Sequence, residues 1–211
     1  MKKGSRAASL ALTIALALLA LTFSIAVPIL CRPFYYAHIS ALDMPGRTGW
    51  SAEVIREAYD QVLDFCVLGA PFGTGELAWS ESGMSHFADV RVLFRLDFIV
   101  FGLSLAACVL LWGLSRRWKV TFPRFLGRGP GFWAGVGAAA AVLVLAGLAA
   151  LDFDRAFTVF HAVFFPGKDN WIFDPAADQI ILVMPQVFFR NCAILIGGVL
   201  LACCAGLILS D

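Results

Sequence analysis

The sequence predicts an all-α membrane protein: four transmembrane helices and an extracytoplasmic cap that contains an amphipathic helix. Three observations lead there. Hydrophobic residues make up 60% of the 211-residue chain against 15% charged, the apolar residues gather into four long runs, and a separate stretch carries apolar residues at helical spacing. A composition this apolar excludes an ordinary soluble domain.

A hydrocarbon core about 30 Å thick needs roughly 20 apolar helical residues. The four runs are Ala7 to Leu30, Phe98 to Leu114, Gly131 to Leu151 and Cys192 to Leu209. The second and fourth reach spanning length only if their helices start near Val92 and Val187. The predicted helices are therefore about 7–31, 92–114, 131–153 and 187–209, with outer loops about 32–91 and 154–186, all within a single integral membrane domain 1–211. This draws Arg95, Asp97 and Arg190 to the membrane edge, where arginine snorkels and Asp97 needs a partner. The first run follows Lys2, Lys3 and Arg6, and Ser24-Ile25-Ala26 resembles a cleavage site. Its apolar stretch exceeds the usual signal-peptide core of about 7 to 15 residues, which predicts an uncleaved helix.

Charge asymmetry sets the orientation. Lys2, Lys3 and Arg6 precede the first helix, and Arg116, Arg117, Lys119, Arg124 and Arg128 fill the loop between the second and third, with no acid in either. The positive-inside rule makes both cytoplasmic, so both termini are inside. Every acid except Asp211 lies in or beside the other two connections, which face outward, beyond cytosolic ATP and reducing nicotinamide.

The first outer connection is too long to lack structure. From Ser51 onward, Val54, Ile55, Ala58, Tyr59, Val62, Leu63 and Cys66 share one helical face, and Glu53, Arg56, Glu57, Asp60, Gln61 and Asp64 the other. Ser51 is the expected N-cap, and Gly69 with Pro71 the stop. Such a helix serves either as a lid on the bundle or as an interfacial border to a lipid entry path, although an acidic polar face suits the second role less well. Residues 71–83 predict turns or a short hairpin, and Pro166-Gly167 and Asp174-Pro175 predict two bends in the second connection.

Of six cysteines, Cys108, Cys192, Cys203 and Cys204 lie in apolar runs, where cysteine packs as a small hydrophobe. Cys31 and Cys66 face the outer side without a spacing pattern to join them, and no C-x-x-C supports a zinc or redox site. No metal and no cofactor is expected.

The chain has three histidines: His38, His86 and His161. If the second helix begins near Ser85, then His86, Asp89 or Val90, Leu93 and Asp97 share a face, and a carboxylate can orient the imidazole. Continuing the third helix places Asp154, Thr158 and His161 on one stripe. Antiparallel packing of these two helices would bring His86 and His161 together at their outer ends. Either histidine alone reads equally as an interfacial residue that satisfies hydrogen bonds, and His38 has no such neighbours. The rings of Phe157, Phe160, Phe164, Phe165, Trp171, Phe173, Phe188 and Phe189 suit interface anchors or an acyl groove alike. Arg91, Arg95 and Arg190 suit head groups or a ligand's oxygen. No G-x-S-x-G occurs and no serine or cysteine has an evident base, so a covalent acyl-enzyme lacks support.

Two segments carry a family resemblance. Ser85-His86-Phe87-Ala88-Asp89-Val90-Arg91 is short. Phe160-His161-Ala162-Val163-Phe164-Phe165 followed by Asn170-Trp171, Phe173-Asp174-Pro175, Asp178 and Pro185 to Phe189 is more specific. With the four-helix layout, the chain resembles the lipoprotein intramolecular transacylase family of bacterial integral membrane proteins over nearly its whole length; Lys168-Asp169 departs from that family's shorter loop. The resemblance implies an enzyme of the bacterial plasma membrane. Its substrate would be the N-terminus of a diacylated lipoprotein, whose sn-2 acyl chain moves from the S-diacylglyceryl cysteine to that cysteine's α-amino group. It implies His86 and His161 as the catalytic pair. On this reading His161 is the base and His86 the acid or oxyanion stabiliser, with the roles exchangeable. Asn170, Trp171 and Arg91 are candidate oxyanion donors, and Asp89 and Asp154 candidate orienters. Membrane lipids are the expected surroundings, and no nucleic acid is expected. Two other readings compete: a non-catalytic four-helix membrane scaffold, and a small b-type cytochrome with His86 and His161 as axial ligands.

Overall fold

A computed structural model describes residues 4–210; Lys2, Lys3 and Asp211, which enter the charge argument, lie outside the described residues. The elements run α1 (Arg6–Leu30), α2 (Arg32–Ala41), α3 (Met44–Thr48), α4 (Ala52–Leu68), α5 (Glu81–Trp118), α6 (Pro130–Leu151), α7 (Phe153–Phe164), α8 (Ile180–Val183) and α9 (Gln186–Leu209). Four of them, α1, α5, α6 and α9, are long and apolar enough to cross a membrane. The chain divides into two compact units, one of Met1–Ala26, Asp97–Ala150 and Leu195–Asp211, the other of Val27–Leu96 and Leu151–Ile194.

In the first unit, Ala20 of α1 and Leu200 and Cys204 of α9 form a small core against which Ala138, Ala139 and Val142 of α6 pack. Without a hydrophobic drive between helices in lipid, close approach of small residues holds such a bundle. Gly135 shows why: a Cβ there would stand 2.8 Å from both the Cys204 carbonyl oxygen and Ile208 Cγ1. Phe23 of α1 stacks on Phe101 of α5 with centroids 6.5 Å apart. The close packing of α6 is thus onto α1 and α9. Many large side chains of these helices, such as Leu103, Val109 and Leu145, point outward, as lipid contact requires. Asp97 is buried and its Oδ2 has no hydrogen-bond partner, so the partner expected for it is absent among the described residues.

The second unit is built on α4. Ser51 caps it by accepting the Val54 N–H, and Gly69, at φ +80°, ends it with its N–H donated to the Asp64 carbonyl. Ile55, Ala58, Tyr59, Val62, Leu63 and Cys66 are buried, as the periodicity predicts. They pack with α2, α3 and α8, three elements that lack a strong sequence period. Tyr35 of α2 is fully buried, stacks on Tyr59 with centroids 3.6 Å apart, and donates to the Val183 carbonyl at 2.7 Å. On the polar face Arg32 pairs with Asp60 and Asp64. Residues 71–80 form turns without a hairpin, since Thr74 closes a tight bend by donating to the Leu77 carbonyl at 2.6 Å. Cys31 is exposed, whereas Cys66 is buried, its thiol 3.7 Å from the Phe87 carbonyl.

Two boundaries differ from the sequence reading. α5 begins at Glu81 instead of about 92, because Ser80 caps it: the Ser80 Oγ accepts the Gly83 N–H at 3.0 Å. At about 1.5 Å per residue its 38 residues extend about 57 Å, nearly twice a bilayer core. The apolar run from Phe98 is the portion suited to hydrocarbon, and residues 81–96 belong to the second unit. The third long helix stops at Leu151, and α7 is a separate helix whose N-cap, Asp152, accepts the Arg155 N–H at 2.9 Å.

Gly135→Ala is expected to destabilise the protein by about 1–3 kcal/mol through overpacking. Gly137→Ala, where a Cβ meets nothing within 4 Å, leaves stability unchanged or raises it. Thermal unfolding of the two variants in detergent checks the contrast.

Candidate active site

His86, on the second turn of α5, and His161, on the last turn of α7, meet in the second unit with ring centroids 5.8 Å apart and planes inclined by 33°. Each is only 6% exposed. Phe165 and Phe173 set their edges against His86 at 5.0 and 5.5 Å, and Trp171 stacks on His161 at 4.4 Å, with Phe157 also at 4.4 Å.

The hydrogen bonds assign the tautomer of His161. Its Nδ1 lies 2.7 Å from the Phe157 carbonyl one turn back. A carbonyl only accepts, so Nδ1 carries the proton and Nε2 of the neutral ring keeps a lone pair. His38 makes the same bond to the Phe34 carbonyl, but the Asn191 amide occupies its Nε2 at 3.0 Å. His38 is therefore satisfied on both sides, and the Nε2 of His161 is not. His86 differs from both: its Nδ1 is buried with no hydrogen-bond partner.

Burial in this aromatic shell disfavours an imidazolium. It pushes His86 down to about 4, helped by the neighbouring His161, while Asp89 and the Asn170 side chain act in the opposite sense. Burial also lowers His161, with the Phe157 carbonyl opposing. Both rings are neutral at neutral pH.

A clamp between two loops holds the histidines together. The buried Asp178 accepts the Ser80 N–H at 2.8 Å and the Ser80 hydroxyl at 2.8 and 2.9 Å, at the N-cap of α5. Gln179 donates its N–H to the Ala78 carbonyl at 3.0 Å, and its Oε1 accepts the Ala78 N–H at 2.8 Å. Asp178 also packs so closely on Gly83 that no side chain fits there. The loop carrying Phe173 and Trp171 is thereby tied to the helix carrying His86. Sequence reasoning left Ser80, Gln179 and Lys168 out of the site; the signal present was the Asp174-Pro175 turn feeding an acid toward a serine.

A model of the lipoprotein intramolecular transacylase family, Lit, matches residues 10–189. The chain belongs to that family. Its fold matches the in meso structure of the membrane-integral lipoprotein intramolecular transacylase Lit from Bacillus cereus at TM-score 0.86 and 21% identity, covering 96% of this chain and 91% of that one. Two structures of the same protein with a histidine replaced, by arginine and by alanine, match at TM-scores 0.80 and 0.79 and identities of 20% and 22%. They cover 96% and 97% of this chain and are covered over 88% and 89% of theirs. No curated protein matches. Membership of the Lit family makes the chain an acyltransferase, which sets aside the scaffold and cytochrome readings.

Within this Lit-family protein the supporting residues are placed differently from the sequence reading. Asp89 makes no hydrogen bond to His86; its carboxylate takes Lys168 Nζ at 2.5 Å and the Asn170 amide at 3.1 Å, and reaches the imidazole through charge alone. Asp154 binds Gln186 at 2.9 Å instead of His161, from which it stands two helical turns away. Trp171 spends its indole N–H on the Lys168 carbonyl at 3.2 Å, and the Asn170 amide is committed to Asp89 and, at 3.4 Å, Ser85. Neither is a free oxyanion donor. Arg91 lies over the Phe65 ring, 5.0 Å from its centroid, with one terminal nitrogen beside Gly69 and its Nε buried without a hydrogen-bond partner.

Asp178→Ala is expected to cost about 1–3 kcal/mol by leaving buried donors unpaired, and to lower acyl transfer as the two histidines separate. Unfolding curves and a conversion assay on the same preparation check it. For pH, His86 falls from 6.5 unfolded to about 4 folded, so the unfolded chain binds more protons between those values. Stability then drops as pH falls through that window, by up to about 3 kcal/mol. His86→Phe removes this part of the dependence, which unfolding midpoints between about pH 7 and pH 4 would reveal.

Proposed function

We propose that the chain moves the sn-2 acyl chain of a lipoprotein's S-diacylglyceryl cysteine onto the α-amino group of that same cysteine, by acid/base catalysis at His86 and His161. The observation that carries this reading is the buried pair of imidazoles, one of them held as the Nδ1–H tautomer with Nε2 left to accept a proton. An α-amine with a pKa of about 8 is largely protonated at neutral pH and must lose a proton before it attacks. His161 Nε2 takes it. The nitrogen then bonds to the ester carbonyl carbon, the bond from that carbon to the glycerol oxygen breaks, the oxygen receives the proton by way of His86, and the nitrogen releases its remaining extra proton to solvent to leave a neutral amide. The products are an amide and a free sn-2 hydroxyl, an N-acyl S-monoacylglyceryl lipoprotein of unchanged mass.

The unequal rings support this division of labour. His86, held further below its ordinary value, is the weaker base and, once protonated, the stronger acid. Two charges side by side in an apolar shell repel, so the pair handles one proton at a time. The nucleophile belongs to the substrate, and no acyl-enzyme is needed. Burial pushes the Cys66 thiol up to about 12, which leaves it inert. With amine and ester on one molecule, holding them in attack geometry supplies about 7 to 11 kcal/mol.

The charge asymmetry of the loops supports a site on the extracytoplasmic side of a bacterial plasma membrane, with both termini cytoplasmic, lipids as neighbours, and both units acting as one integral membrane domain. His86→Ala and His161→Ala should each lower conversion by roughly 10²- to 10⁴-fold. Fragment-ion mass spectrometry of a lipoprotein N-terminus reads this as loss of the N-acylated isomer. Full conversion by a folded His161→Ala variant overturns the proposal.

A further inference from the structure

We infer that Asn170 is a positioning residue for His86: its Oδ1 accepts the Nδ1–H of His86, which leaves the lone pair of the neutral ring on Nε2. The inference rests on the acid/base reading of His86 given above. It starts from two buried polar atoms that have no hydrogen bond, His86 Nδ1 and Asn170 Oδ1. Asn170 bonds Ser85 and Asp89, which flank His86 on the second and third turns of α5. Buried polar atoms are rarely left alone, and each such atom calls for an explanation.

The orientation of the amide follows from its other end. Asp89, ionised and able only to accept, lies 3.1 Å from Asn170 Nδ2, and Ser85 Oγ lies 3.4 Å away. Nδ2 must face Asp89, so Oδ1 is the end that remains. Lys168 in turn anchors Asp89 at 2.5 Å. The chain Lys168, Asp89, Asn170 thus presents an acceptor from a fixed support.

His86 Nδ1 makes no hydrogen bond to any other group among the described residues. His38 and His161 donate to the carbonyl four residues back; His86 makes no such bond to Ser82. The rings around it, Phe87, Phe165 and Phe173, offer no acceptor atom. Of its polar neighbours, Lys168 only donates, the oxygens of Asp89 already accept from Lys168 and Asn170, Nδ1 of His161 holds its own proton, and Nε2 of His161 is the acceptor that the proposed reaction reserves for the substrate amine. Rotation of the imidazole about its side-chain bonds closes the pair with Asn170, in the way catalytic hydrogen bonds tighten when substrate enters. Both histidines then share one tautomer, with both Nε2 atoms open to proton transfer. A protonated His86 keeps its Nδ1–H on Asn170 and delivers the other proton to the leaving oxygen.

The test is nitrogen NMR of the full chain labelled with 15N in its histidine side chains, in detergent at neutral pH, the three rings being assigned by single replacements. The wild-type protein should show His86 protonated on Nδ1. Asn170→Ala should release that preference toward Nε2–H, leave the His161 signals in place, and slow acyl transfer by roughly 10- to 100-fold. An Nε2–H tautomer of His86 in the wild-type chain overturns the inference, as does an unchanged tautomer in folded Asn170→Ala. Should that variant not fold, the wild-type tautomer decides alone. If His86→Ala retains full conversion, the acid/base reading fails, while the tautomer still decides whether Asn170 holds the ring.

Discussion

Two imidazoles buried against each other in a shell of aromatic rings must stay neutral at rest, and the rest of the second unit is arranged around that constraint. Phe157, Phe165, Trp171 and Phe173 exclude water from His86 and His161. In low dielectric a charge on one ring raises the cost of a charge on the other. The carboxylates nearby are accordingly kept at one remove. Asp89 is neutralised by Lys168, and Asp178 is spent on the N-cap of α5. A carboxylate bonded directly to either ring would favour the imidazolium.

Keeping two groups from distant parts of the chain in contact requires a rigid scaffold. That scaffold is the aromatic and apolar core where Tyr35, Tyr59, Met44, Ile180 and Val183 are buried. Tyr35 links three segments, since it stacks on α4, bonds α8 and lies edge-on to Phe188 at 5.1 Å. From this core the segment 178–183 runs back to the Ser80 cap, so the loop that bears Trp171 and Phe173 is anchored at its far end. The membrane helices meet a different constraint. Their backbone groups are satisfied within each helix, and small residues at Ala20, Gly135 and Ala138 let the backbones approach.

Much of the fold was legible before any coordinates. The long apolar runs mark the four spanning helices, and the face formed by Ile55, Ala58, Tyr59, Val62 and Cys66 marks α4 with both of its caps. Less legible were α2, α3 and α8. They are short, and their burial comes from contacts made across the chain rather than from a local period. The start of α5 was misplaced for a related reason: hydropathy detects where a helix becomes apolar, whereas Ser80 and Asp178 decide where it begins. His86 and His161 stand out as paired candidates, and His161 comes from a helix of its own rather than from a continuation of the third long helix. α6 packs on α1 and α9, and α7 is a separate helix that delivers His161.

What the sequence determined by itself is what local physics can encode: hydrophobic length, helical period, capping residues and the scarcity of polar groups in an apolar chain. Tertiary structure decided which partner each polar group takes. Asp89 went to Lys168 and Asn170, Asp154 to Gln186, the Trp171 indole to a backbone carbonyl and the Arg91 guanidinium to the face of the Phe65 ring. Each of those side chains has several partners within reach along the sequence, and only the packed chain, where burial makes an unpaired polar atom costly, selects among them.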